Sequence, residues 1–219
     1  MSTFKESGDI RNMTKRSICT QCKRPLKVCY CHTIQHIANR WPIHILQHPT
    51  ESKHAIGTAR IASLSLNQCQ LQIGENFDDD ALRLIMTQGV ITEMSQPLLV
   101  YPGEHSQNLA ELDPLQPQTL VFIDASWRKS RRMLLESPAL MQLPKVSFQP
   151  ESVSRYRIRK EPDQYALSTL EAIVYALSVL EGNAVTYQPL LDSMDWMIEK
   201  QIELMGKDVF ERNYKHYRK

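Results

Sequence analysis

Leu120-Val-Phe-Ile-Asp124-Ala-Ser-Trp127 runs straight into Arg128-Lys-Ser-Arg-Arg132. The four apolar residues read as a buried strand that stops abruptly at an aspartate. In an open α/β sheet ligands collect beyond the carboxyl ends of the strands, where a side chain sits at a crevice rim beside the amide donors of the next helix. Asp124 occupies such a rim. A carboxylate there, an indole close by and four cations at positions 128, 129, 131 and 132 suit a proton acceptor facing a phosphate-rich substrate. The same residues have a plainer reading, because aspartate at a strand-to-helix junction is a common helix cap and Trp127 is a residue type that cores consume.

The flanking sequence decides what kind of sheet this strand belongs to. Trp41-Pro-Ile-His-Ile-Leu-Gln47 reads as a strand, Ala55 to Leu66 as a helix, and Gln70-Leu-Gln-Ile73 as a second strand. Asp78-Asp-Asp-Ala caps a helix through about Gln88, with three acids suited to the positive end of its dipole. Leu98-Leu-Val-Tyr101 is a strand ended by Pro102-Gly103, and the linker Asp113-Pro-Leu-Gln-Pro117 leads into Leu120. After the basic helix, Lys145-Val-Ser-Phe148 is a further strand. The last third is helical: Leu170, Ile173, Val174, Leu177 and Leu180 mark one apolar face. From Pro189, the residues Leu190, Leu191, Met194, Met197, Ile198 and Leu204 mark another. Strands alternating with helices predict a mostly parallel α/β sheet.

Four of the five cysteines crowd into Cys19-x-x-Cys22-x6-Cys29-x-Cys31, whereas a disulfide framework would spread them through the chain. Four thiolates brought together by two tight turns can complete a tetrahedral zinc site, with Lys23, Arg24 and Lys27 offsetting the charge of four sulfurs on a dication; two disulfides, a redox Cys-x-x-Cys and four unrelated thiols are the alternative readings. A closed four-thiolate site is structural, which sends the chemistry elsewhere in the chain. His32, directly after Cys31, is an alternative ligand. Residues 1–35 are therefore expected to form a zinc-binding appendage whose folding energy comes from the metal, and residues 36–219 the catalytic domain.

Composition narrows the function classes. The chain has 219 residues, 42% of them hydrophobic and 23% charged, with a net charge of +2, so any basic surface comes from local clustering. No apolar run approaches a membrane span and the first residues lack a signal peptide's apolar core, which gives a cytoplasmic expectation with no membrane and no obligate protein partner. The seven glycines, at 8, 57, 74, 89, 103, 182 and 206, are all far apart. A glycine-rich phosphate loop is therefore missing, which argues against a P-loop nucleotidase, a dinucleotide-binding turn and the usual Rossmann methyltransferase.

The cysteine knuckle, His48-Pro-Thr-Glu51, Asp124-Ala-Ser-Trp127 and Ser168-Thr-Leu-Glu-Ala172, in that order, resemble the DTW domain family of tRNA-uridine aminocarboxypropyltransferases. The resemblance covers most of the chain from Cys19 onward. Ser126 stands where the family's Asp-x-Thr-Trp motif usually has threonine, a change that keeps the hydroxyl and loses a methyl. The resemblance implies a SPOUT-like α/β fold with a C-terminal trefoil knot, S-adenosylmethionine as group donor and a tRNA uridine as acceptor. The transferred group is 3-amino-3-carboxypropyl, carried to N3 with release of methylthioadenosine. A methyltransferase of the same fold and a noncatalytic zinc-containing RNA-binding module are the alternative classes.

Under this reading Asp124 is the base that removes the N3 proton. The donor pocket is assigned to Tyr101, Pro102, Gly103, Ile123, Ser126, Trp127, Ser168, Thr169 and Glu171, although Ser168 and Glu171 also form a capping box that has its own structural reason. His48 and Glu51, after the first strand, are assigned to substrate binding. Arg128, Arg131 and Arg132 share one helix face, and Arg155, Arg157 and Arg159 alternate so that an extended segment would point all three the same way. These two rows, with Tyr156, are assigned to tRNA; solvated faces are the alternative reading of both. Trp127 and Tyr156 suit stacking on unpaired bases.

Overall fold

The computed structural model describes residues 17–54, 56–77, 96–150, 153–158 and 166–214. Arg159, the helix expected from Asp78 to Gln88 and the basic tail from Lys215 lie outside them, as does part of the path between the last strand and the C-terminal helices on which the implied knot depends. Six strands form one sheet: β1 Ile43–Gln47, β2 Cys69–Ile73, β3 Leu98–Val100, β4 Gln107–Asn108, β5 Leu120–Asp124 and β6 Lys145–Ser147. Their order is β2-β1-β5-β3-β6-β4 and every pairing is parallel, as the alternating pattern predicts. Seven α-helices accompany them among the described residues: α1 Pro49–Ser52, α2 Ala59–Ser65, α3 Trp127–Leu135, α4 Pro138–Met141, α5 Thr169–Glu181, α6 Ala184–Met205 and α7 Lys207–Tyr214.

The central strands β1 and β5 are buried along almost their whole length because both faces of the sheet are covered. Successive side chains point to opposite faces. Ile43, Ile45, Leu120 and Phe122 therefore face one core, shared with Ile61 of α2, Ile173 and Leu177 of α5 and Leu190 and Ile198 of α6. Leu46, Leu99 and Val121 face the other, with Met133, Leu134 and Leu140 from α3 and α4. By the same alternation Gln47 and Asp124, two residues beyond Ile45 and Phe122, project to the α5 side.

Two features of the helical third differ from the sequence reading. Helix α6 begins at Ala184, capped by the Asn183 side chain, and Pro189 lies inside it. A proline normally marks a first turn, since an interior one forfeits a main-chain bond; here a helix of 22 residues absorbs that loss. Leu204, placed on the apolar face by periodicity, is exposed, and helix α7 follows directly after Gly206. The start of α5 matches expectation. Ser168 caps it by accepting from the Glu171 amide, and Glu171 returns a bond to the Ser168 amide at 2.8 Å.

Glu171 also accepts from the Arg155 amide at 2.6 Å and from the Ser154 hydroxyl at 3.0 and 2.9 Å, so one buried carboxylate ties the 153–158 segment to the head of α5. Its removal leaves the buried Ser168 amide and the part-buried Arg155 amide without this acceptor. Glu171→Ala is expected to lower unfolding stability by about 2–4 kcal/mol in urea titrations, with residues 153–158 becoming protease-sensitive; a change within experimental error would show that the carboxylate holds nothing.

Candidate active site and metal centre

Parallel pairing sets β1 and β5 in register so that their last residues, Gln47 and Asp124, are partners. The Gln47 amide Nε2 donates to Asp124 Oδ2 at 2.7 Å, and the Thr169 hydroxyl, at the first turn of α5, donates to Asp124 Oδ1 at 2.6 Å. Asp124 is 9% exposed. Burial raises its pKa above the ordinary carboxylate value and the charge of Glu51 adds to this, while the Thr169 and Gln47 bonds and the charge of His54 oppose it. The carboxylate does not cap α3. That position belongs to Ser126, whose hydroxyl makes no capping bond, so the plainer reading of Asp124 is removed. Gln47 Oε1 is buried without a partner.

Above Asp124 opens a cavity of about 950 Å³ at the carboxyl ends of β1, β5, β3 and β6. This is where an open parallel sheet binds its ligands. Of the residues assigned from sequence, Tyr101, Pro102, Ile123, Asp124, Ser126, Trp127, Ser168, Thr169, Glu51 and Tyr156 line it. Trp127 is 56% exposed at the mouth and meets the Tyr101 ring edge-on at 5.9 Å, so it is not a core residue. Gly103, Glu171 and His48 stand outside the lining set. His48 caps α1, its Nδ1 accepting from the Thr50 amide at 3.2 Å, while its Nε2 lies 3.5 Å from Glu75.

The two arginine rows meet different surroundings. Arg128 and Arg131 are exposed on α3, next to Trp127, and Arg132 pairs with Glu136 one turn on at 2.8 Å. Arg155 and Arg157 do point the same way, as alternation predicts, but toward α6, where they pair with Asp195 at 3.3 Å and with Glu199. Their charges are thereby partly spent on holding the 153–158 segment against that helix.

The sequence reading gave no individual site assignment to several lining residues, Lys129 having been counted only within the basic run after Trp127. Lys129 binds Glu51 at 2.9 Å and the Thr50 hydroxyl at 2.6 Å, joining α3 to α1 across the cavity. His54, Ile56, Gly57 and Thr58 form the wall between α1 and α2. Gln47 had one legible signal, a polar side chain closing the Ile43-His-Ile-Leu run at the place where Asp124 closes its own strand.

The four cysteines of the N-terminal knuckle converge. Their sulfurs all lie within 4.8 Å of one another, with Cys19 to Cys31 at 3.6 Å and Cys22 to Cys29 at 3.7 Å. Bonds of about 2.3 Å to a tetrahedral zinc place sulfurs about 3.8 Å apart, so the set fits such an ion and not a disulfide pair, whose sulfurs lie about 2 Å apart. The first turn is closed by Lys23 N to Cys19 O at 3.0 Å and Cys19 N to Arg24 O at 2.7 Å, with Lys23 at φ 58° in the left-handed region. His32 stacks edge-on with Trp196 of α6 at 4.5 Å and is not part of the sulfur cluster. Cys22 and Tyr30 are buried in the same core as the sheet. Elemental analysis of the purified chain is expected to give one zinc per molecule, released as pH falls because the ligands must be thiolates. A folded, metal-free preparation would exclude the site.

Comparison with known proteins gives this geometry its context. The DTW domain model matches residues 16–202. A Drosophila melanogaster protein named tRNA-uridine aminocarboxypropyltransferase 2 is 34% identical over 194 residues, covering 86% of this chain and 76% of its own length. The mouse protein of the same name is 30% identical, covering 89% of this chain and 66% of its own length. The chain thus spans just under two thirds of that relative. An Arabidopsis thaliana protein named tRNA-uridine aminocarboxypropyltransferase A is 26% identical over 76% of this chain and 74% of its own. No solved structure gives a significant match. Motif order, parallel sheet and an extended domain match agree, and the chain belongs to the DTW domain family.

Proposed function

We propose that this chain transfers the 3-amino-3-carboxypropyl group of S-adenosylmethionine to N3 of a tRNA uridine, forming 3-(3-amino-3-carboxypropyl)uridine and releasing methylthioadenosine. The observation that carries this reading is Asp124: a buried carboxylate with both oxygens hydrogen-bonded, on the wall of the cavity, in a chain whose relatives bear the name of that transferase. The metal-binding segment within residues 1–35 and the catalytic portion 36–219 act together. Among the described residues no helix is long and apolar enough to cross a membrane.

The cavity volume suits a molecule of the donor's size. Val100, Phe122 and Ile123 supply apolar wall for the adenosyl part, and Tyr101, Pro102, Ser126, Ser168 and Thr169 supply its polar edge. The donor's sulfonium activates three adjacent carbons, and the methyl is the least hindered. Transfer of the larger group therefore depends on aligning the uridine with Cγ, which makes positioning the main catalytic contribution of the site. Uridine N3 is a poor nucleophile until its proton leaves. Asp124 accepts that proton as the N3–Cγ bond forms and the Cγ–S bond breaks, its electron pair returning to sulfur as a neutral thioether. Thr169 and Gln47 hold both oxygens of the base in place, and the half-buried Lys129–Glu51 pair sets the opposite wall.

For the acceptor, exposed Trp127 offers a stacking surface for an unpaired base, and Arg128 and Arg131 beside it offer phosphate contacts. Arg155, Tyr156 and Arg157 contribute through the segment they anchor. Mass spectrometry of tRNA nucleosides after incubation with the protein and S-adenosylmethionine tests the assignment. Aminocarboxypropyluridine with matching methylthioadenosine is expected; methyluridine would make the chain a methyltransferase, and no donor binding would leave an RNA-binding module.

Asp124→Asn keeps size and hydrogen bonding and removes basicity. Turnover is expected to fall at least a hundredfold with donor affinity nearly unchanged, and to recover partly at alkaline pH, where uridine ionises unaided. Near-normal turnover would remove Asp124 from the chemistry. Because folding raises the Asp124 pKa, the stability this group contributes is present below its unfolded pKa and lost as pH rises through the folded one. The Asn variant, which cannot ionise, should lack that decline in denaturation experiments across the same pH range.

A further inference from the structure

The cavity wall between α1 and α2 takes hydrogen bonds from two side chains, Arg24 outside the lining and Tyr156 within it. Arg24, two residues after Cys22 in the knuckle, donates from Nη1 to the His54 carbonyl at 2.6 Å and from Nη2 to the Gly57 carbonyl at 3.1 Å. Tyr156 donates its hydroxyl to the Ile56 carbonyl at 2.7 Å. His54, Ile56, Gly57 and Thr58 all line the cavity. Among the described residues the wall's own backbone bonds are local turns, His54 N to Glu51 O at 3.0 Å and Gly57 N to His54 O at 3.2 Å, and Ile56 packs against the main core; the Arg24 and Tyr156 bonds tie its carbonyls to other elements. A guanidinium is a rigid planar fork, so two of its donors meet two carbonyls at once and fix both distance and orientation. The fork sits close: a Cβ on Gly57 would lie 3.8 Å from Nη2 and 3.3 Å from the Glu51 carbonyl.

The other end of Arg24 is equally constrained. Its carbonyl accepts from the Cys19 amide at 2.7 Å, closing the turn that carries Cys19 and Cys22, and the neighbouring Lys23 is in the left-handed conformation. The position of the guanidinium therefore follows the position of the sulfurs. Burial of Cys22 and Tyr30 in the main core, with the Ser193 hydroxyl donating to the Thr33 carbonyl at 3.0 Å, holds the knuckle still relative to the sheet. A continuous path runs from the metal-ligand set through one side chain to the donor cavity.

We propose that Arg24 is a positioning residue for the group donor: it fixes the His54–Thr58 wall, and through it the cysteine knuckle sets donor affinity. This rests on the reading of the cavity as the S-adenosylmethionine site. The knuckle is then part of the working site and not only a device that helps the N-terminal segment fold. Arg24 does not itself line the cavity, so its effect is expected to fall on donor binding through the wall and to leave the tRNA surface on α3 alone.

The test uses the full zinc-loaded chain and the variants Arg24→Gln and Arg24→Lys. Zinc per chain, hydrogen exchange of peptides spanning residues 54–58, and calorimetric S-adenosylmethionine affinity are measured on each. Arg24→Gln is expected to keep its zinc, to exchange faster at 54–58, and to bind the donor about ten- to a hundredfold more weakly, the size of losing charge-assisted bonds. The KM for donor should rise by the same factor while the KM for tRNA stays level. Arg24→Lys, with the charge but no fork, should regain only part of the affinity and serves if the Gln variant does not fold. Zinc-loaded variants with unchanged exchange, or with faster exchange and unchanged donor affinity, would overturn the proposal. A wild-type chain that fails to bind S-adenosylmethionine would instead overturn the functional reading, and the exchange data would still report whether Arg24 holds the wall.

Discussion

The geometry of the site depends on the parallel pairing of β1 with β5. Registering Gln47 against Asp124 puts an amide donor beside a carboxylate at the ends of two neighbouring strands, and the side-chain alternation that buries Ile45 and Phe122 turns both polar residues toward the head of α5. Thr169 then completes the arrangement. A register shift of one residue would send Asp124 to the opposite face, among Leu46 and Met133, where neither partner exists. The hydrophobic pattern that specifies the sheet therefore also specifies the chemistry.

Around that carboxylate the protein balances opposing effects. Burial favours the neutral acid, and two hydrogen bonds favour the anion. A fully solvated aspartate would be too weak a base for a weakly acidic imide proton, and a buried one without donors would cost too much to ionise. The charge of Glu51, itself paired with Lys129 on α3, pushes the Asp124 pKa further up, and the charge of His54 opposes it.

Much of this was legible in the sequence, and the limits have physical causes. The strands and the long C-terminal helices follow from apolar period, and the capping box at Ser168 from spacing alone. The convergence of Cys19, Cys22, Cys29 and Cys31 into one cluster that could hold a metal was legible in their spacing. Asp124 was visible because an acid ended an apolar strand. Its hydrogen bonds were not: Thr169 stood out only as part of the Ser168 motif, and Gln47, 77 residues away, meets it only through sheet register. The two-residue β4 is too short to show a period, and Pro189 misled because helix starts favour proline. Arg155 and Arg157 share a direction as alternation requires, but only the placement of α6 reveals that acids at 195 and 199 wait one turn apart on that side.

The strand order has a consequence for how the molecule is assembled. β1 and β2 pair directly, but β3 has no neighbour among the strands that precede it, because its partners are β5 and β6. The chain must hold β3 unpaired until Leu120 to Asp124 is inserted between it and β1. On a ribosome β3 therefore stays apart from the β1–β2 pair until more than half of the polypeptide has been made, and the strand that joins them is the one that ends in Asp124. Such long-range parallel closure is slow compared with local helix packing. Substitutions in β5 that weaken its pairing would thus act during synthesis, on the yield of folded chains, before they could act on turnover.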